Sequence, residues 1–84
     1  MRNSFNLMKT SVRDGKTTDF YEVRNGRNRL KGRINVVKAG KVTVKVDAFY
    51  GWYDMFDSLV SCACGRGFKT LEAAKRSFRS VDHS

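Results

Sequence analysis

Residues 41–48 read KVTVKVDA, a run of eight without glycine or proline. Val42, Val44, Val46 and Ala48 alternate with Lys41, Thr43, Lys45 and Asp47, the period of a strand with one apolar and one polar face. Just upstream, residues 29–37 (RLKGRINVV) alternate as well. Leu30, Ile34 and Val36 fall on one side, and Arg29, Lys31, Arg33 and Asn35 on the other. KAGK at 38–41 joins the two runs as a tight hairpin, with Gly40 free to take a positive φ. Asn25-Gly26, the preferred pair for a type I′ turn, ties in an earlier strand that turns Tyr21 and Val23 inward and Phe20, Glu22 and Arg24 outward. These runs predict a meander of strands over Thr18–Arg24, Arg27–Val37 and Lys41–Phe49.

Working outward, SFNLMKTSV predicts an edge strand over Ser4–Val12, closed by the turn-like RDGKT. At the other end Leu71, Ala74, Phe78 and Val81 recur at helical spacing, with Thr70 as N-cap and Glu72 where a carboxylate complements the helix dipole. Lys75, Arg76 and Arg79 fall on its polar side. Between meander and helix, FYGWYDMFDSLVS fits either period. It predicts a short helical or irregular piece near Trp52–Asp57, with Trp52 and Phe56 in the core, then a strand over Leu59–Cys64. The fold class expected is α+β: an antiparallel β-meander of three to five strands packed against one C-terminal helix at about 71–80, all in a single domain, 1–84.

The composition points to a class of partner. Seventeen Lys and Arg against eight Asp and Glu give a net charge of +9, which attracts polyanions before any specific contact forms. Alternation then places Arg24, Arg29, Lys31, Arg33, Lys41 and Lys45 on one side of the sheet, with Phe20 among them. A small sheet can enter a major groove, or a single strand can lie across it and stack on the ring. Nucleic acid, or a host nucleoprotein complex, is therefore the expected partner. The aromatic segment offers a second surface, on which Tyr50 and Tyr53 are the residues expected to meet a protein partner.

Chemistry finds little footing. SCACGRGF at 61–68 holds both cysteines, but structural zinc wants four Cys or His ligands, and His83 is the one histidine of the chain. The Cys62-Ala63-Cys64 spacing also differs from the C-x-x-C of redox pairs. Cys62 and Cys64 are expected to face the core beside Val60, with Gly65 and Gly67 turning the chain. A homodimer pooling four thiolates on zinc stays open as an alternative. Asp54 and Asp57 read as a solvated pair, and no nucleophile–base or phosphate-loop pattern occurs. Neither an enzyme nor a cofactor is expected, and Arg66, without a structural task, is assigned to partner binding. No apolar run is long enough to cross a bilayer and the first residues lack an apolar signal core, so a cytoplasmic protein is expected.

GRGFKTLEAAKRSF, residues 65–78, resembles the strand-to-helix junction of three-stranded-sheet DNA-binding domains, namely the arm-binding domains of tyrosine integrases and the AP2 domain of plant transcription factors. Phe68, Thr70, Glu72 and Ala74 carry the similarity. Such domains read DNA with the sheet, which implies roles for Arg29, Lys31, Arg33, Lys41 and Lys45. In size and architecture the chain also resembles small stand-alone proteins of bacteriophages and mobile elements, anti-CRISPR proteins among them. That resemblance implies an alternative function: an inhibitor that docks on a host protein or nucleoprotein complex.

Overall fold

A computed structural model describes residues 3–62 and 65–79. The described residues form six strands, β1 (Ser4–Arg13), β2 (Lys16–Arg24), β3 (Leu30–Ala39), β4 (Val42–Tyr53), β5 (Leu59–Cys62) and β6 (Arg66–Phe68), then one helix, α1 (Leu71–Ser77). β1 to β4 form an antiparallel meander in chain order. β6 pairs with Val46–Ala48 of β4 and β5 with Gly51–Tyr53, so one long strand carries two short partners end to end. The architecture is the α+β meander with a C-terminal helix that the alternation predicts.

Differences lie in how the chain turns and where its parity breaks. The Arg13–Lys16 link is a type I′ hairpin, with Asp14 at φ 52 and Gly15 at φ 74. Asn25-Gly26, expected to form such a turn, does not. Asn25 Oδ1 instead accepts from the Arg27 and Arg29 amides at 2.9 and 3.0 Å, which stretches the connection and puts Asn28 at φ 60. Of the short helical or irregular piece expected near Trp52–Asp57, the helix is corrected, because β4 continues through Tyr53, while residues 54–58 form an irregular turn. In that turn Asp54 Oδ1 accepts from the Phe56 and Ser58 amides at 2.8 and 2.9 Å, and Asp57 sits at φ 61. The turns at 25–29 and 54–58 therefore share one hydrogen-bond pattern. Phe56, expected in the core, lies on the second turn and is 80% exposed.

A bulge corrects the reading of KVTVKVDA. Val37 pairs with Lys45 but Lys38 with Thr43, which leaves Val44 as the extra residue. Val42 and Val44 are consequently exposed, and the buried run begins at Val46. Gly67, expected with Gly65 to turn the chain, lies instead within β6. The expectations for Cys64, Val81 and His83, and for the side chains of Trp52 and Cys62, lie outside what is described.

The core joins Val23, Ile34, Val36, Val46, Ala48 and Tyr50 of the sheet to Ala74 and Phe78. Thr70 caps the helix as expected, accepting from the Ala73 amide at 3.1 Å, with Glu72 in the first turn. Phe78, just past the last turn, packs on Tyr50 with ring centroids 4.7 Å apart and meets Phe5 edge-on at 6.3 Å. The Tyr50 hydroxyl hydrogen-bonds Ser77, and Asn3 Nδ2 donates to the Phe78 carbonyl at 3.3 Å. These contacts fasten α1 to one face of the sheet. No described helix covers the other.

Candidate nucleic-acid interface

Residues paired across antiparallel strands point to the same side, so the register assigns the open face row by row. Asn6, Glu22, Arg33 and Phe49 form one row, and Lys9, Phe20, Asn35 and Asp47 the next. Ser11, Thr18, Val37 and Lys45 follow, and Arg13 pairs with Lys16 at the far end. Lys9, Arg13, Lys16, Arg33 and Lys45 are all exposed. Phe49 is 44% exposed and Phe20 half-buried, with the Lys9 ammonium 5.9 Å from its ring centroid. Two rings thus stand on either side of β3, in successive rows, among cations.

The acids of this face are engaged. Asp47 lies 3.4 Å from Lys45, a contact open to solvent that a phosphate can displace at little cost. Glu22 takes the Arg24 Nε at 2.6 Å, and the same guanidinium forks onto Asp57 at 3.2 and 2.6 Å and reaches the Asn28 carbonyl at 3.0 Å. Arg24, expected as a nucleic-acid contact, is instead the tie between the two similar turns. Arg29 supplements it, donating to the Tyr53 carbonyl at 3.4 Å while staying exposed.

The other expected residues scatter. Arg33 and Lys45 stand on the face as expected, and Lys41 is exposed in the Gly40–Lys41 turn at its end. Lys31 sits at a bulge, since Val23 pairs with Gly32 and Arg24 with Leu30, and it is buried rather than projecting. Tyr50, expected to meet a partner, is buried under α1, and Tyr53 is half-buried. Arg66 is exposed, its guanidinium 5.2 Å from the Phe68 ring centroid. Lys9, Arg13, Lys16 and Phe49 were not foreseen. The parity of Lys45 and Asp47, carried two residues further, identifies Phe49. The Arg13 and Lys16 flanks of Asp14-Gly15 were the signal for the far end.

Hydrogen bonding from Arg24 holds the Asp57 carboxyl below the usual carboxylate range, helped by the charges of Arg24, Arg29 and Arg33. A depressed folded value means stability that is fully present above the unfolded pKa of about 4 and lost as pH falls through the folded one. Asp57→Asn keeps a residue that tolerates positive φ but removes this charge. In denaturation series, the stability gap between wild type and Asp57→Asn is expected to be constant above about pH 5 and to shrink below about pH 4. A gap independent of pH down to acid unfolding would contradict the tie.

No protein-family model matches the chain, and no curated protein or solved structure matches it at a significant level.

Proposed function

We propose that the chain is a non-catalytic nucleic-acid-binding protein that holds its ligand on the open face of the sheet, single strands in preference to duplex. The observation that carries this reading is the co-location of Lys9, Arg13, Lys16, Arg33 and Lys45 with Phe20 and Phe49 on the face opposite α1. Cations alone suit any polyanion. Cations interleaved with accessible rings suit unpaired bases, because every base offers a face to stack.

Fluorescence anisotropy with single-stranded and duplex oligonucleotides across a salt series tests it. Contacts from the five cations give log K against log[salt] a slope of about −3.5 on single strands and about −4.5 on duplex. Arg33→Ala is expected to lower the magnitude of that slope by roughly 1 and weaken binding regardless of sequence. Phe49→Ala is expected to weaken single-strand binding by about 1–3 kcal/mol with the slope unchanged. No binding at low salt, or a nuclease-resistant protein complex to which Arg33→Ala is indifferent, would overturn the proposal.

A further inference from the structure

Among the described residues, the two most exposed large apolar side chains do not lie on the sheet face. Met55 and Phe56, 74% and 80% exposed, form the tip of the β4–β5 hairpin, backed by exposed Leu59 and Val60. A flexible loop would fold such residues away, but this tip is braced. Asp54 spans it with two backbone hydrogen bonds, and Asp57 is clamped by Arg24. Arg24 also offsets the charge of Asp57, whereas Asp54 keeps its charge while accepting from backbone amides. The adjoining 25–29 turn, held alongside through Arg24 and Arg29, exposes Arg27 where the second turn has Phe56. One tip is cationic and the other apolar, at one end of the candidate interface.

From this pairing we infer that Phe56, with Met55 beside it, is a wedge that inserts between bases of the nucleic acid while Arg27 and Arg29 hold the flanking phosphates. The inference rests on the sheet-face reading of function and extends it to a base-contacting element outside the sheet. The neighbouring turn selects the occupant, since Arg27 and Arg29 beside an apolar tip match a stack of bases strung on phosphates, with Arg24 offsetting Asp57. Apolar side chains set between base steps are a known device for unstacking them, and stacking of a ring needs no base-specific hydrogen bond.

The test uses a DNA single strand carrying 2-aminopurine, titrated with wild type, Phe56→Ala and Phe56→Trp. Wild type is expected to change the 2-aminopurine fluorescence, and Phe56→Ala to diminish that change, leaving the part due to Phe20 and Phe49, and to bind roughly 5- to 100-fold more weakly. The salt slope stays the same, because Phe56 neutralises no phosphate, and Phe56→Trp restores both signals. Equal affinity of wild type and Phe56→Ala overturns the wedge and leaves the sheet face standing. So does Phe56-dependent binding to phosphatidylserine vesicles with oligonucleotide binding unaltered. Failure of wild type to bind any oligonucleotide at low salt overturns the sheet-face reading, and the wedge with it.

Discussion

Phe78→Ala is expected to lose about 3–5 kcal/mol of folding stability. The ring is fully buried and, among the described residues, is the largest side chain in the core to be so. It is also the point where separate parts of the chain converge: Phe5 of β1, Tyr50 of β4 and the end of α1. Removing it leaves a void that these neighbours cannot close, because each is fixed by its own strand. The helix has only seven residues, far below the length at which an isolated helix persists. It stays folded through this packing, so loss of the ring is expected to release it. A small domain holds only about 5–15 kcal/mol in total, so the loss removes a large part of the margin and leaves the variant partly unfolded if the total lies at the low end of that range. Urea denaturation reads the effect as a lower midpoint, and a loss under about 1 kcal/mol would show that the helix is anchored elsewhere.

Gly32→Ala is the second large effect, and it strikes from the opposite direction. A Cβ built on Gly32 would lie 2.1 Å from the Phe49 carbonyl oxygen and 2.9 Å from Cε1 of Phe78. A ring could rotate aside. The carbonyl belongs to the ladder between β3 and β4, so the strands themselves would have to part. We expect a loss of about 3 kcal/mol or more, at or beyond the upper end of ordinary overpacking. Gly67→Ala is the contrasting case, because the nearest atom to its added carbon, Asp47 Oδ1, is 3.8 Å away. Near-equal midpoints for the two variants would show that β3 and β4 yield more readily than this packing implies.

The meander was legible because alternation survives wherever a strand pairs without interruption. Residues 18–23 and 45–48 illustrate it, with Tyr21, Val23, Val46 and Ala48 inward. The errors sit at bulges, where one extra residue exchanges the two faces and no residue type announces the exchange. In β1 the shift at Met8 turns Phe5 and Leu7 to one face and Lys9, Ser11 and Arg13 to the other, although all five are odd-numbered. That break concealed Lys9 and Arg13, two of the five cations of the surface. Bulges likewise account for Lys31 and Val44. Phe56 was misplaced for another reason: large apolar residues usually fill cores, and only the turn chemistry of Asp54 keeps this one outside. The signal existed in the repeated spacing of Asn25 and Asn28, and of Asp54 and Asp57, which marks two turns of one kind.

That shared turn separates what the fold requires from what it leaves free. In each loop the first residue supplies the carboxylate or amide oxygen and the fourth takes the left-handed backbone, whereas the second and third contribute only main chain. Gly26-Arg27 and Met55-Phe56 occupy equivalent, interchangeable places. Evolution, or a designer, can therefore rewrite these dipeptides without touching the scaffold, and each exchange changes the ligand presented while folding is left alone. A library varied at these positions alone would explore recognition on a frame whose stability is decided elsewhere.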